Sequence, residues 1–88
     1  AMYGYIASHN QGQTLVLSDG RVFERRNQPG GVTEWYLTEK GVDVDAYTTA
    51  ATEEWDADWT ELQDNEISQH IDLNEAASYY IGEPPRNR

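Results

Sequence analysis

The chain has no cysteine, one lysine, one phenylalanine and one methionine among 88 residues. Without cysteine there is no disulfide framework, no thiolate metal site and no thiol nucleophile. No apolar run approaches the roughly 20 residues of a transmembrane helix, and nothing reads as a secretory signal. The expectation is a cytoplasmic protein with no membrane association. Short catalytic signatures are missing too: the sequence holds no G-x-S-x-G elbow, no P-loop and no H-E-x-x-H. His9 and His70, the two histidines, have no partner spacing that would make a metal triad. Paired carboxylates could do acid–base work only in a pocket with separated pKa values, and a chain this short has little room for one. A non-enzymatic protein without cofactor or metal is therefore expected.

Basic residues are scarce and unevenly placed. Residues 1–40 carry four acids, Asp19, Glu24, Glu34 and Glu39, against Arg21, Arg25, Arg26 and Lys40. Residues 41–85 carry twelve acids and no Lys or Arg, and Arg86 and Arg88 appear only in the tail. The net charge of −10 thus belongs almost wholly to the second half. It peaks at 53–66, EEWDADWTELQDNE, where Glu53, Glu54, Asp56, Asp58, Glu61, Asp64 and Glu66 stand beside two tryptophans.

The length suggests one domain over 1–88, with Ala1 preceding a native start at Met2 and residues 84–88 a frayed tail. The first half reads as an antiparallel meander. Tyr3–Ser8 alternates with Tyr3, Tyr5 and Ala7 on one face, and His9-Asn10-Gln11-Gly12 makes a turn. Thr14–Ser18 and Arg21–Arg26 flank Asp19-Gly20, a favoured type I′ hairpin pair. That two-residue loop would pair Leu17 with Val22 and Val16 with Phe23, on opposite faces. A hairpin apolar on both faces belongs in the middle of a sheet or in a curled one. After the turn at 27–31, Val32–Thr38 makes a fourth strand, with Trp35 and Leu37 on one face and Val32 and Tyr36 on the other.

The second half reads as helical. Gly41–Tyr47 fits a fifth short strand or an extended linker. From Thr52, a plausible N-cap, Trp55, Trp59 and Leu62 fall at i, i+4 and i+7, and Glu53 and Glu54 would then suit the positive end of the dipole. Asp72-Leu73-Asn74-Glu75 reads as a capping box for a helix running to Ile81, stopped by Gly82 and Pro84-Pro85. The fold expected is α+β: a small antiparallel sheet of four to five strands, covered on one side by two C-terminal helical segments. Its core would hold Trp35, Leu37, Trp55, Trp59, Leu62, Ile71, Tyr80 and Ile81.

On one helix, the charges from Glu53 to Asp64 would run along roughly 17 Å, at about the 3.4 Å spacing of phosphates on one DNA strand. This points to a nucleic-acid mimic: an inhibitor whose Glu53, Glu54, Asp56, Asp58, Glu61, Asp64 and Glu66 bind a basic, nucleic-acid-binding partner protein. In size, charge and missing catalytic motifs the chain is similar to the small anti-CRISPR and anti-restriction inhibitors of phages and mobile elements. That is an analogy of composition, without a sequence motif behind it. The alternative is a structural or accessory domain whose acidic face serves solubility or salt adaptation, although salt adaptation would coat the first half as well. Direct nucleic-acid binding through Arg21, Arg25 and Arg26 works against the net charge. A calcium loop from Asp43 and Asp45 to Glu54 has Thr48 where the turn requires glycine.

Overall fold

The central hairpin forms because β-branched and aliphatic residues alternate on either side of a glycine turn. The computed structural model describes residues 2–10, 12–26 and 35–72. Strands β2 (Gly12–Leu17) and β3 (Val22–Arg26) pair with Leu15 opposite Phe23 and Val16 opposite Val22. This register differs by one residue from the expected one. The loop holds three residues, Ser18, Asp19 and Gly20. Gly20 N–H donates to the Leu17 carbonyl and Leu17 N–H to the Arg21 carbonyl, both at 2.9 Å. Gly20 has φ +93°, the left-handed residue that follows a type I turn in a three-residue hairpin. Asp19 secures the turn, accepting from Arg21 N–H at 3.1 Å and from Arg21 Nε at 2.9 Å.

The shift moves Leu17 away from Val22 and joins it to Leu15 and Phe23, since neighbouring positions on a strand point to opposite faces. One face now carries Leu15, Leu17 and Phe23, and the other Thr14, Val16 and Val22; all six are fully buried. As both apolar faces suggested, β2 is the central strand.

Strand β1 (Tyr3–His9) flanks β2, with Ile6 opposite Leu15 and His9 opposite Gly12. Strand β4 (Trp35–Glu39) flanks β3 with Trp35 and Leu37 on the Phe23 face. A bulge between Val22 and Phe23 brings Glu39 opposite Val22, on the other face. The sheet is completed by β5 (Thr60–Gln63), antiparallel to β1, in the order β4-β3-β2-β1-β5. The α+β meander is thus observed, with its fifth strand at 60–63 in place of 41–47. Val32 lies outside the described residues.

The helices depart from expectation. Helix α1 spans Val44–Trp55, capped by Asp43, whose carboxylate accepts Ala46 N–H at 3.2 Å. Its inward stripe is Val44, Tyr47, Thr48, Ala51, Thr52 and Trp55, at helical spacing. The threonines can face inward because their hydroxyls bond back along the helix: Thr48 to the Val44 carbonyl at 3.0 Å, and Thr52 to the Thr48 carbonyl at 2.7 Å. The helix ends at Asp56, in the left-handed conformation with φ 54°. Trp59 therefore lies in a connection and Leu62 in a strand, and the helix expected from Thr52 through Leu62 does not exist. Thr52 lies within α1 rather than at its start.

Helix α2 (Asp64–His70) follows directly, with Glu66 Oε1 accepting Gln63 N–H at 2.9 Å. The two helices lie on opposite faces rather than on one. Trp55 of α1 stacks on His9, which shares the Thr14–Val16–Val22 face. Ile67 of α2 packs into the cluster of Ile6, Leu15, Leu17, Phe23, Trp35, Leu37, Leu62 and Ile71. Gly4 makes that approach possible. A Cβ there would lie 2.9 Å from the Val16 carbonyl oxygen and 3.0 Å from Leu17 Cδ2, with Ile67 Cδ1 at 3.5 Å. Of the expected core, Trp35, Leu37, Leu62 and Ile71 are buried, while Trp55 and Trp59 are half-buried. Tyr80, Ile81 and the helix expected up to Ile81 lie outside the described residues. Among the described residues no helix is long and apolar enough to cross a membrane.

Candidate functional site

The acidic segment bends around one end of the sheet instead of lying along one helix. Glu53 and Glu54 occupy the last turn of α1, Asp56 caps it, and Asp58 sits in the connection. Glu61 lies in β5 opposite Tyr5, and Asp64 and Glu66 open α2. All seven side chains are exposed. Among the described residues, no Lys or Arg forms an ion pair with any of them; Arg21 pairs with Asp19 instead. The evenly spaced line of charge drawn from a single helix is therefore corrected to an acidic rim on two helix ends, a turn and a strand.

The seven do not have equal freedom. Asp64 Oδ1 accepts Met2 N–H at 2.9 Å, and Glu66 accepts the Gln63 N–H. These two tie down the chain start and the α2 cap. Glu53 and Glu54 stand in the opposite situation from the one expected, and Asp56 joins them. They sit at the carbonyl end of α1, where the dipole is negative and the last turn holds no basic residue. A negative charge there is unfavourable by roughly 0.3–1 kcal/mol per group at low salt.

The tryptophans brace this rim. Trp55 stacks on His9 at 4.0 Å and 20°, and Trp59 lies 6.4 Å from Trp55. The His9 Nε2 is 2.7 Å from the hydroxyl of fully buried Thr14, so His9 serves the packing beneath α1. Trp59 Nε1 is buried and has no hydrogen-bond partner among the described residues. Glu54 also bears on Tyr47 of the inward stripe. The Tyr47 hydroxyl is pushed up to about 12, first by burial and then by the charges of Glu39, Glu24 and Glu54.

An open groove of about 430 Å³ lies where β5 begins, lined by Ile6, Ala7, Ser8, Asp56, Asp58 and His70 among others. It brings His70 near two carboxylates, which the sequence spacing did not suggest. All three are exposed, so the groove does not withdraw them from water as paired acid–base groups require. Asp43 and Asp45 lie at the cap and first turn of α1 rather than in a loop. Among the described residues no three His, Cys, Asp or Glu side chains converge to hold a metal ion.

Tyr3 and Tyr5 adjoin the acidic segment in a way that sequence spacing did not suggest: Glu61 lies directly across from Tyr5. Strand alternation placed Tyr3 and Tyr5 on one face, but only the pairing of β1 with β5 sets Glu61 beside them. No family model, no curated protein and no solved structure matches this chain.

Proposed function

We propose that the protein is a non-enzymatic, cytoplasmic docking module. Its acidic rim binds a basic surface of a nucleic-acid-binding protein and competes with nucleic acid for it, as an anti-CRISPR or anti-restriction inhibitor would. One observation carries the reading: Glu53, Glu54, Asp56, Asp58 and Glu61 are exposed with no basic partner among the described residues, and three of them stand where the α1 dipole disfavours them. Charge held at a local cost to folding is what a surface kept for binding looks like. Asp64 and Glu66 add to the potential while holding backbone N–H groups.

The mechanism is electrostatic. Carboxylates pair with Lys and Arg of the partner, speed the encounter and occlude the phosphate site. Because the segment is not one helix, mimicry here means charge density and not a phosphate-like rise. Screening over about 8 Å at physiological ionic strength makes the interaction salt-sensitive.

The test is capture from a cell lysate at low and high salt, comparing the native chain with the triple variant Glu54→Gln, Asp58→Asn, Glu61→Gln. Basic nucleic-acid-binding proteins should be retained at low salt, released at high salt, lost with the variant and displaced by DNA. Recovery of only neutral or acidic proteins, at equal yield in both salts and with both chains, would leave the acids a solubility role and overturn the reading.

A further inference from the structure

Beside Glu61 the sheet presents two tyrosines whose arrangement general acidity does not explain. Tyr3 and Tyr5 stand on the same face of β1, on either side of Gly4, since alternate strand residues share a face. Their rings meet edge to face, 5.8 Å apart at 89°. Tyr3 is 41% exposed, whereas the other large apolar side chains among the described residues are buried or half-buried. Glu61 is the cross-strand neighbour of Tyr5 and projects to the same side. Asp45 stands in the first turn of α1. The Tyr5 hydroxyl registers both: its pKa is raised first by partial burial, then by the charge of Glu61, the neighbouring Tyr3 and Asp45.

Two rings at a right angle, one of them open to solvent, with carboxylates alongside, offer a cation both a π face and hydrogen-bond acceptors. We propose that the corner formed by Tyr3, Tyr5 and Glu61 receives an arginine side chain of the partner protein. The inference rests on the docking reading above and adds a specificity to it. A guanidinium is planar and weakly hydrated. It can lie flat on the Tyr3 ring while its N–H groups reach Glu61. A lysine ammonium is a compact, strongly hydrated point charge that satisfies the carboxylates but gains less from the rings. The acidic rim supplies attraction for any cation, and the tyrosine corner selects among cations.

The experiment uses the full chain with fluorescently labelled oligoarginine and oligolysine peptides of equal length, read by anisotropy at low salt. Oligoarginine should bind about two- to fivefold tighter, the effect of an exposed cation–π contact. Tyr3→Leu should abolish that preference by lowering oligoarginine affinity more than oligolysine affinity, and Tyr3→Phe, which keeps the ring, should retain it. Far-ultraviolet circular dichroism checks that the Tyr3 variants keep the fold. Equal binding of the two peptides to the native chain, or a preference that survives Tyr3→Leu, overturns the tyrosine corner while the docking reading stands. Binding of neither peptide removes both.

Discussion

The sheet and the acidic rim follow different rules. In β2 and β3, six side chains are fully buried, and polar groups find partners locally: Arg21 with Asp19, Arg25 with Gln13 at 2.7 Å, and Gln13 with Ser8 at 3.2 Å. From Val44 to Asp58, only Ala51 and Ala57 are buried, the helix packs through threonine and alanine, and its carboxylates stand in water without basic partners among the described residues. The first region holds the fold, and the second carries charge on it. A domain with one such half can maintain an unneutralised surface because its stability is generated elsewhere.

The sharpest way to break this comparison is to cut the sheet core. Phe23→Ala should cost about 3–5 kcal/mol, much of the stability of a domain this size, and abolish the cooperative transition in urea denaturation or shift it to far lower denaturant. A loss under about 1 kcal/mol would mean that the sheet is not the stabilising half.

A smaller effect links the halves through Tyr47. An unfolded tyrosine ionises near pH 10.0, whereas folded Tyr47 holds its proton to about 12. Its contribution is therefore complete below pH 10 and is lost as pH rises through 12, because the unfolded chain releases a proton that the fold retains. With the ring half-exposed and screened by solvent, the loss should be about 1 kcal/mol. Urea midpoints at pH 9 and pH 11.5 should fall less in Tyr47→Phe than in the native chain, and equal slopes would show that Tyr47 is not the group responsible.

The smallest effect sharpens the contrast most. Glu53→Lys puts a cation at the carbonyl end of α1 and should stabilise the fold by a few tenths to about 1 kcal/mol, while weakening capture of basic proteins. Thermal melting at low and high salt would show the gain and its screening. A destabilised variant would mean that Glu53 supports the fold after all.

Much of the sheet was legible in the sequence. Period-two alternation marked the strand at 3–8, and the Asp19-Gly20 turn between two apolar runs marked those at 14–18 and 21–26. The register of the central hairpin was not, because Asp19-Gly20 suits a two-residue loop as well as the three-residue one that forms, and only packing decides between them. Helix α1 was overlooked because the middle of its inward stripe, Tyr47, Thr48, Ala51 and Thr52, carries a weak hydrophobic signal. The false helix arose from Trp55, Trp59 and Leu62, which fall at helical spacing by coincidence. β5 is only four residues long, too short for alternation to outweigh that match. The seven acids were correctly expected at the surface, but their geometry was not, because a bend at Asp56 and a strand at 60–63 replace one straight axis.

What the sequence determined by itself was composition and local chemistry. The absence of cysteine, the charge asymmetry and the turn residues settle which interactions are open to the chain, and they act over a few residues. Tertiary structure decided the hairpin register, the placement of the helices on opposite faces and the meeting of Glu61 with Tyr5. Those outcomes depend on which distant segments bury surface together, and that free energy is shared among many residues rather than encoded in any one window.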